Sequence, residues 1–290
     1  MISSGDSARF YYSCVIALFL IATASAQEVD RNVVHWAYSS YFGTGWYSIG
    51  NDQDAYVFRM TPRWERREAS IDEDGNRHIG IEYRLPVTVG LETFVFDSLP
   101  DAVSPENVAS LSVTPGIDIN IPVTERWYLK SFAAAGWGTL LDGTESAWTY
   151  WGGIRSRYEL GTGGLTWALI NSISFVGFSP ADSPSQRFWP VSAGLEFDYP
   201  LTGRWIGDQR AILHWYLNYS GFPDDLDIVG ANGETLSIND QWELGLAASK
   251  QNGRIRFWKL HFDRLGLGYR FSSSGELKGI NLVMHSLFDL

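Results

Sequence analysis

Residues 77–91 read RHIGIEYRLPVTVGL, and their alternation is nearly unbroken. Ile79, Ile81, Tyr83, Leu85, Val87, Val89 and Leu91 are apolar. His78, Gly80, Glu82, Arg84, Pro86, Thr88 and Gly90 fall between them. A repeat of two belongs to an extended strand, whose successive side chains point to opposite faces. One face is therefore greasy and the other small or charged. A strand apolar outside and polar inside is what a barrel in a lipid bilayer requires.

The pattern recurs in about twelve stretches. They lie near 34–49 and at 55–67, 77–91, 110–123, 127–141, 148–160, 165–178, 189–201, 211–219, 241–249, 257–271 and 277–290. In 55–67, Tyr56, Phe58, Met60, Pro62 and Trp64 oppose Arg59, Thr61, Arg63, Glu65 and Arg67. In 211–219, Leu213, Trp215 and Leu217 oppose His214, Tyr216 and Asn218. The parity of 257–271 changes near Asp263 and Arg264, which predicts a bulge or a turn. The last stretch alternates through Ile280, Leu282, Met284, Phe288 and Leu290. Pro62, Pro86, Pro115 and Pro190 sit inside runs. Each removes a ladder donor, so bulges or strand ends at the rims are expected there.

Strand length separates a soluble sandwich from a membrane barrel. Soluble strands have a mode of about 5–6 residues, whereas membrane strands need roughly 9–11. Most runs here are of the longer kind. The connections are also unequal. Short ones fall at 72–76, 124–125, 161–164, 202–208 and 251–254; longer ones include 97–106, 179–185 and 223–239. Short turns on the periplasmic side and longer outer loops are the outer-membrane pattern. The 13 Trp and 14 Tyr suit interfacial girdles. The expected fold is all-β, a transmembrane antiparallel up-and-down barrel of about twelve strands.

Residues 1–26 read as a signal peptide. Val15 to Ala22 form the apolar region, and Ala24-Ser25-Ala26 fits a small-x-small cleavage site. The barrel domain is then 27–290. The sole cysteine, Cys14, falls in the signal, so no disulfide is expected.

The order of several short motifs carries a resemblance. They are Gly45-Trp46-Tyr47-Ser48-Ile49-Gly50, Leu85-Pro86-Val87-Thr88-Val89-Gly90, the run from Pro115 to Val123, Gly136-Trp137-Gly138 and the run from Leu265 to Phe271. Together they resemble the solitary outer-membrane autotransporter-type β-barrels of Gram-negative bacteria, across nearly the whole mature chain. The resemblance implies a twelve-stranded translocator-like barrel in the bacterial outer membrane. It implies contact with membrane lipid and lipopolysaccharide, and insertion by the barrel assembly machinery. Only residues 27–32 precede the first strand, so a passenger-less barrel is expected. The family transfers no catalytic residue.

A net charge of −11 argues against nucleic acid as a partner. The oligomeric state stays open. No cofactor and no metal are expected, since Asp224, Asp225, Asp227 and Glu234 lack the spacing of a calcium loop. By parity His78, His214 and His285 face the lumen, but no hydrolase motif surrounds them, so catalysis is not expected. The inward candidates are Arg59, Arg63, Arg67, Glu82, Arg84, Asp118, Arg155, Arg157, Glu196 and Asp198, with Glu65 and Glu243 as further acids. Opposed rows of charge could set a field across a narrow pore. Alternatively they neutralise one another in a salt-bridge network, and that reading is favoured. The expected function is a structural or narrow-pore membrane protein. A small-solute channel is the alternative, and a barrel lipid hydrolase the second alternative.

Overall fold

The computed structural model describes residues 42–50, 53–94, 107–141, 143, 146–161, 165–180, 185–206, 209–229, 235–251, 255–257 and 260–289. The expected signal peptide, the start of the first strand and the loop at 97–106 lie outside them, as do parts of the turns at 161–164 and 251–254.

Twelve antiparallel strands close into a ring. They are β1 (Gly45–Ile49), β2 (Gln53–Met60, resuming as Arg63–Arg67), β3 (Gly80–Arg84, resuming as Val87–Phe94) and β4 (Asn107–Val113, resuming as Gly116–Thr124). Then come β5 (Trp127–Leu140), β6 (Ser146–Glu159), β7 (Thr166–Pro180), β8 (Val191–Ile206), β9 (Gln209–Val229), β10 (Thr235–Lys250), β11 (Leu265–Phe271) and β12 (Leu277–Val283). Each strand pairs with its sequence neighbours, and β12 returns to β1 through Gly45 opposite Asn281. Following the register once around the ring displaces it by about 14 residues, a strand tilt of about 40°.

The opening alternation sits on β3 in the orientation a bilayer demands. Gly80, Arg84, Pro86, Thr88 and Gly90 are buried, whereas Ile79, Tyr83 and Leu91 are exposed. The rest of the barrel follows suit. Trp46, Phe58, Trp148, Ile173, Trp215, Leu246 and Leu267 stand outside, while Lys130, Glu196, Glu243 and Arg270 are buried. This inverts a soluble core, in which charged residues are almost never fully buried unless paired.

Exposed aromatics mark two levels on the outer wall. Trp127 stands opposite Tyr158 near the short turns, and Trp137 opposite Trp148 near the long loops. Trp127 and Trp137 are ten residues apart on β5. With a rise of about 3.3 Å per residue and that tilt, the levels are about 25 Å apart along the axis. That is the height of the apolar band of an outer-membrane barrel.

The prolines do not mark bulges or rims. Leu85 N–H donates to the Pro62 carbonyl at 3.0 Å, Thr114 to Pro86 at 3.0 Å and Ala135 to Pro115 at 3.1 Å. The donor on β3 directly precedes Pro86, and the donor on β4 directly precedes Pro115. The three prolines thus form a diagonal seam from β2 to β5. The register is the same on both sides: Met60 faces Val87 and Arg63 faces Arg84. Each proline takes one half of a hydrogen-bonded pair, loses one donor and keeps its acceptor, so the strand need not shift. Pro190 does the same towards Ser174, at 2.9 Å.

Two other expectations are corrected. The segment 223–239 is not all loop. β9 runs on to Val229 and pairs with the start of β10, after a register shift between Gly221 and Leu226 where Asp225 adopts a φ of 51°. The alternation at the C-terminus is not all strand. β12 ends at Val283, and the residues after it turn into the bore.

Candidate functional site

The bore is divided between two kinds of filling. Towards the long loops, inward apolar side chains form one cluster that includes Tyr47, Leu140, Phe178, Phe188, Phe222, Leu226, Ile238 and Leu277. Towards the short turns, the inward face is charged and meets the C-terminal segment. That segment leaves β12 because Ser286 and Asp289 make a local turn, with Asp289 N–H on the Ser286 carbonyl at 3.0 Å and the Ser286 hydroxyl on Asp289 Oδ2 at 2.6 Å.

Three barrel strands hold it. Lys130 of β5 pairs with the Asp289 carboxylate, and Arg63 of β2 donates to the Asp289 carbonyl. Glu196 of β8 accepts the Leu287 N–H at 3.2 Å. The same carboxylate receives Arg157 at 2.7 Å and Arg264 at 3.0 Å. Leu287 and Phe288 are buried and join Ile170, Tyr216, Ala247 and Val283 in a second apolar cluster. The Lys130 ammonium lies 4.6 Å from the Phe288 ring. Gly194 makes the room: a Cβ there would stand 2.9 Å from a Leu287 methyl.

A second buried node is Glu243. It takes Arg270 at 2.7 Å, the Tyr216 hydroxyl at 2.5 Å and the Asn281 amide at 2.8 Å. Truncating one partner of such a node leaves an uncompensated buried charge, at a cost of about 3–5 kcal/mol.

The sequence-derived candidates divide as follows. Arg84 and Asp118 form a buried pair at 3.2 Å, and Arg63 meets Glu82 at 3.2 Å. The Arg84 and Arg155 guanidiniums both lie over Phe132, at 5.3 and 4.4 Å. Arg59 lies over Trp151 at 5.3 Å. Arg157 and Glu196 meet, as above. Asp198 meets His214 at 2.5 Å. Arg67 and Glu65 stand apart; both are exposed, and Arg67 bonds the Ile79 carbonyl. His78 is exposed beside Asp72, and His285 pairs with Asp263 at 3.0 Å. Of the opposed-row and network readings, the geometry is that of the network.

Sequence reasoning left out Lys130, Ser249, Arg264, Arg270 and Asp289. Parity places Lys130, Ser249 and Arg270 inward, so they could have been found. Parity also places Asp289 inward with His285, but it gives no sign that the tail leaves the wall to meet Lys130. Among the described residues no group of three His, Cys, Asp or Glu is placed to hold a metal ion.

No family model and no curated protein matches the chain. Among solved structures it is similar to the translocator domain of the autotransporter NalP from Neisseria meningitidis, with 13% identity, 81% of this chain and 82% of that chain covered, and a TM-score of 0.49. It is similar to the transport unit of the autotransporter AIDA-I from Escherichia coli, with 10% identity, 90% and 100% covered, and a TM-score of 0.48. A third is the β domain of the Bordetella autotransporter BrkA, with 12% identity, 82% and 91% covered, and a TM-score of 0.46.

Proposed function

We propose that this chain is a translocator-like barrel of the bacterial outer membrane whose bore is closed by its own C-terminal segment. The insertion of Leu287, Phe288 and Asp289 between Lys130, Glu196 and Gly194 carries the reading. The apolar band of about 25 Å supports the membrane. Short turns at one end and longer connections at the other support an orientation with the tail facing the periplasm. In that setting the outer wall meets lipid and lipopolysaccharide, and insertion falls to the barrel assembly machinery. The closed bore supports a structural role over that of an open channel.

A second reading is a gated narrow pore. It is favoured by one observation: ion pairs, hydrogen bonds and apolar contacts hold the tail, and none of the described residues 284–289 lies in a strand. Planar-bilayer recording of the refolded chain tests both. The closed barrel gives a quiet baseline. Steady open-channel current from the unmodified chain overturns it. Rare, brief openings that become frequent when Lys130 is replaced select the gated pore.

A further inference from the structure

Three neighbouring strands each place one member of a connected triplet on the lumen face. His214 Nδ1 lies 2.5 Å from Asp198 Oδ1, and His214 Nε2 lies 2.7 Å from Ser249 Oγ. Asp198 on β8 stands directly opposite His214 on β9. Ser249 on β10 lies two residues beyond Ala247, which is His214's partner on the other side. With Nδ1–H donated to the carboxylate, Nε2 keeps its lone pair and accepts the serine proton. The order carboxylate, imidazole, hydroxyl is the one that activates a serine. A histidine needing only satisfied nitrogens could take any donor and any acceptor. This one has an anion behind it and a hydroxyl in front.

The triplet lies near the short-turn end of the bore, with Ser249 and His214 buried. Ser249 is 7% exposed and His214 5%. Ser249 is the last residue but one of β10, at the short-turn end. Beside it, Arg264 precedes β11 at the next register position, after Ala248 opposite Leu265. Its guanidinium is engaged by Glu196: Nη1 lies 3.0 Å from Oε2 and Nη2 donates to Oε1 at 3.3 Å.

We propose that Ser249 is a nucleophile, with His214 as its base and Asp198 as the positioning residue, and that it hydrolyses small carboxylic esters. Ser249 Oγ bonds to the ester carbonyl carbon as its proton passes to His214 Nε2. The tetrahedral adduct collapses, the carbon–alkoxide bond breaks, and the alkoxide leaves as an alcohol with that proton. Water then attacks the acyl-serine, giving its proton to Nε2. Collapse returns that proton to Ser249 and releases the carboxylic acid. No oxidant or reductant is needed.

The test uses the full folded chain in detergent micelles, with a fluorophosphonate probe and p-nitrophenyl butyrate. The expected result is a phosphonyl adduct mapped to Ser249 by peptide mass analysis, together with ester turnover. Ser249→Ala and His214→Gln lose both, while their heat-dependent gel mobility stays that of a folded barrel. Asp198→Asn lowers turnover by about a thousandfold or more, and Asp198→Glu restores part of it. A purely structural Asp198 would instead lower the unfolding temperature in both variants and leave turnover per folded molecule unchanged. Absence of a Ser249 adduct in the folded wild type overturns the proposal, as does equal turnover in Ser249→Ala.

Discussion

The Leu287 backbone N–H donates to Glu196 Oε2 at 3.2 Å, so a carboxylate of the barrel wall holds the main chain of a segment outside the wall. Glu196 can do this because Arg157 and Arg264 already neutralise it. The tail is therefore seated on a preformed ion-pair network. Each part of that seat makes a separate expectation.

Lys130 is buried against Asp289. Lys130→Met takes the ammonium partner from Asp289, whose side chain is 33% exposed, so the loss should fall below the about 3–5 kcal/mol of a fully buried pair. The midpoint of heat-dependent gel mobility should fall. Adding Asp289→Leu removes the stranded charge and should recover most of the loss. Two independent, additive losses would show that these residues do not meet.

Gly194 is a matter of space. Its missing Cβ leaves room for Leu287, and Leu at this position would occupy that room. Gly194→Leu should expel the tail while the ladder beside β7 and β9 stays paired. Limited proteolysis should then cut within 284–289 in the variant and not in the wild type. Equal resistance in both would place the tail elsewhere.

Leu267 is 61% exposed on β11. If its surroundings are acyl chains, Leu267→Arg costs about 2–4 kcal/mol near the midplane. Equilibrium folding into phospholipid vesicles measures this directly. A change within a few tenths of a kcal/mol would point to water around that face.

The turn after β2 has its own pH dependence. Asp72 accepts the Asn76 backbone N–H at 2.7 Å and the Asn76 amide at 2.9 Å. The Asn76 bonds hold its carboxyl below the usual carboxylate range, and His78 adds to this. A lowered folded value means the turn is supported at neutral pH and loses that support as pH falls through the carboxylate's own range. Amide exchange at Asn76 should lose protection on acidification, with the barrel strands unaffected. In Asp72→Ala that acid dependence should vanish.

Much of this fold is legible in the chain because lipid outside and charge inside impose a strict period of two. Ile79, Tyr83 and Leu91 on one side and Arg84 and Thr88 on the other are enough to orient β3. The same period misleads at the C-terminus, where Met284 and Phe288 continue the pattern although β12 stops at Val283. Alternation reports which face is apolar, and a turn that packs Leu287 and Phe288 inward satisfies it as well as a strand does. The prolines mislead for a related reason. The donor each one lacks is visible in sequence, but its share of a hydrogen-bonded pair depends on the register with the next strand. His214 was legible as inward by parity; its link to Ser249 required three strands to be in register.

The placement of the tail is open to one direct observation. In solution NMR of the methyl-labelled chain in micelles, the Leu287 δ-methyls should show cross-peaks to the Gly194 α-protons and to the Tyr216 ring. The Leu287 amide should be protected from exchange. Narrow, random-coil signals from Leu287 and Phe288, with no cross-peak to any inward residue, would contradict a barrel closed by its own C-terminal segment.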